Sequence, residues 1–220
     1  MNEKLEEVSS LLLEQGKIVA VIGGDHSSPL GLIKSLAKQH DFGILQVDAH
    51  MDLRNAYEGF QYSHASIMYN VLKMKQVTKL VQVGIRDFCE EEEDLVRNAA
   101  DRISVYYDDT IYQAKENGIA WSDQCTQIIS KLPDKVYISF DVDGLDASLC
   151  PNTGTPVPGG LQFNEAVLLI EKVARAGKKI IGFDVTETGN HPWDANVASR
   201  ILYRLAAYTG VSQQLLQFRK

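Results

Sequence analysis

Apolar runs alternate with amphipathic segments along most of the chain. Six runs are almost continuously apolar and rich in β-branched residues, which is typical of strands covered on both faces. These predicted strands span residues 17–22, 42–48, 79–85, 102–107, 135–141 and 179–185. The spacing between them predicts helices over residues 29–39, 64–75, 90–99, 111–131, 163–177 and 195–209. This alternation predicts an α/β fold, a doubly wound, mainly parallel sheet with helices on both faces.

The bulk composition is typical of a globular protein and excludes several classes of partner. A chain of 220 residues with 45% hydrophobic residues predicts one domain over residues 1–220. The net charge of −7, without a basic cluster, argues against nucleic acid or an anionic membrane as partner. The acidic N-terminus does not resemble a secretory signal, and three scattered cysteines do not suggest a disulfide framework. We therefore expect a cytoplasmic protein.

Residues 144–160 are the one long segment without periodicity, and they contain three prolines and four glycines. Loops of this length are uncommon unless they are functional or disordered. The segment follows a strand end that carries Asp141 and Asp143, which favours a functional loop. The acidic run at residues 90–94, by contrast, is expected to be a solvated helix start that complements the helix dipole.

Acidic and imidazole side chains follow four of the predicted strands. In chain order they are His26; Asp48, His50 and Asp52; Asp141 and Asp143; and Asp184 and Glu187. Open α/β sheets bind ligands at the carboxyl ends of their strands. Since positions two apart in an extended chain point to the same side, these side chains can converge on one pocket.

So many carboxylates in one pocket need a counter-charge. Like-charged carboxylates raise one another's pKa values and resist ionisation, a problem that divalent cations remove. A single ion would not use six protein ligands and remain open, whereas two ions bridged by shared aspartates would. Oxygen-rich ligation with some imidazole suits Mn²⁺ best and leaves Fe, Co, Ni and Zn open. The sequence therefore predicts a site for two Mn²⁺ ions.

Four ordered motifs resemble the ureohydrolase family, which includes arginases, agmatinases, guanidinobutyrases and formiminoglutamases. The motifs are GGDHS (23–27), DAHMD (48–52), SFDVDGLD (139–146) and FDVTE (183–187). Together they are highly specific, and the resemblance extends from about residue 18 to the C-terminus. It implies that a guanidino compound is hydrolysed to urea and an amine at two manganese ions.

The resemblance also implies the metal ligands. One manganese would be held by His26, Asp48, Asp52 and Asp141. The other would be held by Asp48, His50, Asp141 and Asp143, so that Asp48 and Asp141 bridge the two ions.

Three further roles are implied by similarity. Glu187 would orient the guanidinium group, because a carboxylate fork fits paired N–H donors. His64 would carry a proton to the leaving amine. Asp143 is expected to be catalytic as well as a metal ligand. A plain strand-end carboxylate and a plain helix-start histidine are the alternatives for Glu187 and His64. Asp25, Asp146 and Asp184 are expected to support the site or to form turns.

The segments YSHASIM (62–68) and NTGTPVPGGL (152–161) are more similar to agmatinases than to arginases, which favours agmatine, cleaved to putrescine. Guanidinobutyrase, aminopropylagmatine hydrolase, formiminoglutamase and arginase remain alternatives. Two other classes also remain, a non-catalytic relative that binds metal or a guanidino ligand and another metal-dependent amidohydrolase. The family further implies a homo-oligomer, a trimer or hexamer, and an N-terminal strand and loop that this chain is expected to lack.

Overall fold

A single parallel sheet organises the computed structural model of the chain, which describes residues 1–218. Its strands are β1 (Val19–Ile22), β2 (Phe42–Val47), β3 (Val77–Ile85), β4 (Ile103–Tyr107), β5 (Lys135–Asp141) and β6 (Lys179–Thr186). They lie in the order β1-β6-β5-β2-β3-β4, and every neighbouring pair is parallel. The predicted fold class is confirmed.

The helices cover the two faces of the sheet in chain order. One face carries α1 (Asn2–Glu14), α2 (Leu30–Ala37), α3 (Ile67–Leu72) and α4 (Glu90–Asn98). The other face carries α5 (Asp108–Glu116), α6 (Trp121–Ser130), α7 (Phe163–Arg175) and α8 (Pro192–Ser212). All six residues of β2 are buried between these layers, which explains why its sequence is apolar on both faces except at Gln46.

The predicted helix over residues 111–131 is wrong, because the structure has two helices there. Helix α5 ends at Glu116, and Gly118 follows in the left-handed region with φ of 82°. Glycine adopts this conformation without the steric penalty of a side chain, so the chain turns before α6 begins at Trp121. Helix α1 was not among the predicted helices, and it packs against α2.

The strand order places the site-bearing segments side by side. Strands β1, β6, β5 and β2 are consecutive neighbours in the sheet, and all four end at the same edge. Strands β2 and β5 are adjacent. After β2 the chain continues to β3 on one side, and after β5 it continues to β6 on the other side. Such a topological switch point opens a crevice between the strand ends. None of the described helices has the length and apolar character needed to cross a bilayer.

Candidate metal centre

The structure brings the six predicted ligands together at the switch point. His26 lies in the turn after β1, the segment from Asp48 to Asp52 follows β2, and Asp141 is the last residue of β5. Asp143 belongs to a short 3-10 helix, Val142–Gly144, directly after β5. Sheet topology therefore gathers side chains that are more than a hundred residues apart in sequence.

A first cluster surrounds the imidazole of His26. Its Nδ1 atom lies 3.0 Å from Asp48 Oδ2, 3.0 Å from Asp52 Oδ2 and 3.1 Å from Asp141 Oδ2. All four residues are at most 4% exposed. One imidazole nitrogen thus faces three carboxylate oxygens in a site from which bulk water is excluded.

A second cluster surrounds His50. Its Nδ1 atom lies 3.0 Å from Asp143 Oδ2 and 3.5 Å from Asp48 Oδ1. Asp48 therefore turns one oxygen to each imidazole and links the two clusters. The groups His26–Asp48–Asp141 and Asp48–His50–Asp143 each have ligand atoms within 4.8 Å of one another. A bridging role for Asp141 stays a prediction, since its Oδ1 accepts the backbone N–H of Asp143 at 2.8 Å.

The carboxylates of the two clusters disturb one another's ionisation. Burial and the neighbouring charge of Asp48 raise the pKa of Asp52 to about 7. Burial and the charges of nearby aspartates also raise the pKa of Asp141 and of Asp143. Asp48 behaves in the opposite way, because contacts with His26 and His50 outweigh burial and lower its pKa. The charge of the whole set is balanced only when protons or cations are shared among its members.

The imidazoles respond to the same carboxylates. Burial alone would lower the pKa of His50, but contacts with Asp143 and Asp48 raise it to about 11. Burial likewise opposes protonation of His26, and its contacts with Asp141, Asp48 and Asp52 raise its pKa well above the usual value. These contacts favour the protonated form of each ring, and a cation bound to the carboxylates would favour the neutral form instead.

The donor set fits divalent cations. His26 Nδ1 and Asp143 Oδ2 are both buried and make no well-formed hydrogen bond, although each lies close to groups of opposite charge. Carboxylate oxygens with one imidazole nitrogen per cluster are ligands typical of Mn²⁺ and its neighbours in the first transition row. Two linked clusters of this composition can hold two cations.

Backbone geometry keeps the two ligand loops in close contact. Ala49 N–H donates to Asp143 Oδ1 at 3.0 Å, and His50 N–H donates to Asp48 Oδ1 at 2.7 Å. A Cβ atom on Gly144 would lie 2.5 Å from the backbone nitrogen of Asp48. Glycine at this position lets the turn after β5 approach the end of β2 closely enough to bring the aspartates together.

Glu187 lies beside the first cluster. Its Oε1 accepts the backbone N–H of His26 at 2.7 Å, and its own N–H donates to Gly24 O at 2.7 Å. Burial raises the pKa of Glu187. The long loop reaches the same residue, because Thr153 Oγ1 donates to the Glu187 carbonyl at 2.6 Å. The loop from residue 144 to 160 therefore borders the site.

His64 shares one cavity with two of the predicted ligands. His64 begins a short 3-10 helix, and its Nδ1 lies 3.2 Å from Asp25 Oδ2. The Tyr57 ring and the imidazole pack at an interplanar angle of 66°, with the ring centroids 5.5 Å apart. A cavity of about 110 Å³ is lined by His50, Asp52, Arg54, Tyr57, His64, Ala65, Asp87, Glu92 and Thr155. A ligand in this cavity would contact both His64 and two predicted metal ligands.

The expectation of a fully solvated acidic run at residues 90–94 is wrong for Glu92. This residue is 2% exposed, and its carboxylate accepts N–H groups from Leu53 and Cys89, each at 2.9 Å. Arg54 lies 3.7 Å away. Glu92 lies three residues after the helix N-cap, which is a capping-box position. This spacing is the sequence signal that indicates its contact with the backbone.

Fold and site together define an α/β protein with a paired candidate metal centre at the switch point of a parallel sheet. The profile of the arginase family matches residues 1–208, and the chain belongs to this family. The resemblance inferred from the four motifs is thereby confirmed.

Two curated relatives and one solved structure illustrate the match. The chain is 36% identical over 202 residues to N(1)-aminopropylagmatine ureohydrolase of Thermus thermophilus, covering 90% of this chain and 65% of the relative. It is 32% identical over 211 residues to the Synechocystis protein of the same name, with 92% and 64% covered. The structure of agmatine ureohydrolase from Thermoplasma volcanium aligns with a TM-score of 0.79 and 28% identity, covering 98% of this chain and 70% of that one. The chain thus spans less than two thirds of the length of these curated relatives.

Proposed function

We propose that this protein hydrolyses the guanidino group of a linear amine, releasing urea and the free amine. The observation that carries the proposal is the pair of buried clusters linked by Asp48, which opens onto a cavity lined by His64. Agmatine and its aminopropyl derivative are the proposed substrates. The motifs around residues 62–68 and 152–161 support agmatine, and the names of the two curated relatives support the derivative.

The metal-holding residues in this proposal are those inferred from the sequence. His26, Asp48, Asp52 and Asp141 would hold one manganese ion, and Asp48, His50, Asp141 and Asp143 the other. Divalent cations, when bound, would lower the pKa of water towards neutrality.

Glu187 would bind and orient the guanidinium group. One of its oxygens is already engaged by the N–H of His26, so the side chain is held in one orientation beside the first cluster. Oε2 is left to accept N–H groups of a planar cation, for which a carboxylate is the natural partner. The guanidinium would then lie next to the buried carboxylates rather than out in solvent.

His64 would move the proton that the departing amine requires. Asp25 contacts Nδ1 of the imidazole, and Tyr57 packs against the ring, so Nε2 is the nitrogen available to the substrate. A histidine oriented in this way can act as a general acid towards the leaving group. Departure of a neutral amine completes the cleavage to urea.

The first test is urea release from a panel of substrates by protein reconstituted with Mn²⁺. The panel contains agmatine, N(1)-aminopropylagmatine, guanidinobutyrate and arginine, and formiminoglutamate is followed by formamide release. We expect turnover of agmatine or its aminopropyl derivative. Asp48→Ala should abolish both metal binding and turnover, whereas Asp134→Ala, a change at a fully exposed aspartate, should leave both intact.

Three results would contradict the proposal. Turnover of guanidinobutyrate or arginine alone would retain the cleavage to urea and replace the substrate. Turnover of formiminoglutamate alone would replace the reaction as well, because that substrate releases formamide. Silence on the whole panel, in protein that binds two Mn²⁺ ions per chain, would favour a non-catalytic relative that binds metal.

A further inference from the structure

A row of four buried polar side chains crosses the middle of the sheet beneath the metal centre. Strand register pairs Gln82 of β3 with Gln46 of β2, Gln46 with Ser139 of β5, and Ser139 with Asp184 of β6. All four residues are 0% exposed. Burying polar groups in central strands is costly unless each is hydrogen-bonded, so a continuous row of them requires an explanation.

One half of the row contacts the aspartate that links the two clusters. Gln82 Nε2 donates to Gln46 Oε1 at 2.7 Å and to the carbonyl of Met51 at 2.7 Å. Gln46 Nε2 in turn donates to Asp48 Oδ2 at 2.8 Å. The carboxylate of Asp48 is therefore held in its orientation from below by an amide that is itself held in place.

The other half of the row contacts His26. Ser139 Oγ donates to Asp184 Oδ1 at 3.2 Å, and this oxygen also accepts the N–H of Phe140 at 3.2 Å. His26 Nε2 lies 2.9 Å from Ser139 Oγ. Since a hydroxyl has one proton and Ser139 gives it to Asp184, the hydroxyl must accept from Nε2–H. The lone pair of a neutral His26 is then on Nδ1, the atom that faces three carboxylates.

Strand geometry explains why the row lies where it does. Gln46 precedes Asp48 by two residues, and Ser139 precedes Asp141 by two, so each pair projects from the same face of its strand. The row is one layer deeper in the sheet than the ligands. Its hydrogen bonds end on Asp48 and His26, the ligands that enter the first cluster from β2 and from the β1 turn.

We propose that Gln82, Gln46, Ser139 and Asp184 are positioning residues that orient Asp48 and set the tautomer of His26 for metal binding. The inference rests on the proposed metal site and extends it to residues that would not touch the ions. Partners of this kind orient metal ligands, and their loss costs about 10–100-fold in metal affinity.

The test compares Gln46→Met and Ser139→Ala with two matched controls. Gln124→Met removes a buried glutamine amide that bonds to the carbonyl of Ile119 at 3.3 Å in another part of the fold. Ser35→Ala removes a buried hydroxyl that donates to the carbonyl of Glu6 at 2.9 Å. For each protein, the Kd for Mn²⁺ is measured by calorimetric titration, and Tm is measured with and without Mn²⁺.

We expect the row variants to bind Mn²⁺ about 10–100-fold more weakly and to lose much of the Mn²⁺-dependent rise in Tm. The controls should lower the metal-free Tm to a similar extent but keep the wild-type Kd. Ser139→Thr, which retains a hydroxyl, should recover most of the affinity. If Gln46→Met does not fold, Gln82→Met tests the same half of the row one strand further from Asp48.

The outcomes separate this inference from the proposed function. Row variants with the wild-type Kd would overturn the inference and leave the proposed function standing. An equal loss of affinity in the controls would also overturn it, because the effect would then be one of general stability. Wild-type protein that binds no Mn²⁺ would overturn both.

Discussion

Glu187 adopts a left-handed backbone conformation, with φ of 58°, immediately after β6. A non-glycine residue in this region is uncommon and costs free energy, and such residues cluster at functional sites. Here the conformation is held by the bond from its own N–H to Gly24 and by the bond from His26 to its side chain. Glu187, to which we assign guanidinium recognition, is thus one of two strained residues at the site, since Asp52 also has a positive φ, of 55°.

Exchanging the Glu187 carboxylate for an amide tests that assignment. Glu187→Gln keeps the acceptor for the His26 N–H but removes the charge that pairs with a guanidinium. We expect kcat/KM for agmatine or its aminopropyl derivative to fall by at least about tenfold, the scale of a lost charge-assisted hydrogen bond. The Mn²⁺ content should be unchanged when measured by elemental analysis. Unaltered kcat/KM would remove Glu187 from substrate binding.

His64 is more exposed than the predicted metal ligands, at 40% of its side chain, and it contacts Asp25 rather than the two clusters. His64→Ala should therefore leave metal content intact while kcat falls by about 10²–10⁴-fold, the usual contribution of a positioned acid or base. His40→Ala, at a histidine next to Lys135, is the matched control and should keep full activity. Equal kcat values for the two variants would refute the proton-transfer role.

At the scale of elements, the segment after β2 is held by a helix from another part of the chain. Glu92 of α4 accepts two backbone N–H groups, one from Leu53 directly after the DAHMD motif and one from Cys89. This contact ties the loop that carries Asp52 and Arg54 to the start of α4. The position of the loop is fixed by a buried carboxylate as well as by the strand that precedes it.

Glu92→Gln should disturb this loop, because an amide can accept at only one of its two terminal atoms and presents N–H groups to the other donor. We expect a loss of about 1–3 kcal/mol in the free energy of unfolding, measured with urea. Glu91→Gln changes the neighbouring exposed carboxylate and should cost nothing measurable. The structural role of Glu92 would be disproved if both variants were equally stable.

At the scale of the whole molecule, the ionisable groups of the site make the stability of the fold depend on pH. In metal-free protein the pKa of Asp52 is raised from 3.8 to about 7, and that of His50 from 6.5 to about 11. A raised pKa means that the folded state binds more protons than the unfolded state, so stability falls as pH rises between the two values. The contribution of Asp52 to stability is lost between pH 3.8 and about 7, and that of His50 between pH 6.5 and about 11.

Metal-free protein should therefore lose stability as the pH rises from 5 to 8. Mn²⁺ requires deprotonated ligands, so the stabilisation it provides should grow over the same range. Thermal unfolding at several pH values, with EDTA or with Mn²⁺, measures both trends. A metal-free Tm that rises with pH, or a gain from Mn²⁺ that shrinks, would contradict the charge balance described for the clusters.

Much of this architecture was predictable from local pattern. Nearly continuous apolar runs mark all six strands, because such runs are needed wherever a strand is covered by helices on both faces. The six candidate ligands could be named because they follow those runs at alternate positions. The break in the helix predicted over residues 111–131 was missed, since an amphipathic pattern continues on either side of Gly118.

Side chains that act through distant contacts were not predictable. Gln46 and Ser139 each stand alone in an apolar run, and only strand register shows that they adjoin Gln82 and Asp184. Glu92 lies in a run of charged residues whose other members are at least partly exposed, so its burial follows from where α4 packs.

The sequence by itself determined the strands, the candidate ligands that follow them and the family, because each depends on residue types at short, regular spacing. Tertiary structure decided which strands are neighbours, and with that which oxygens of Asp48 face His26 and which face His50. It also decided that a polar row supports them from within the sheet. Distances between side chains far apart in the chain follow from packing and register, which no local pattern specifies.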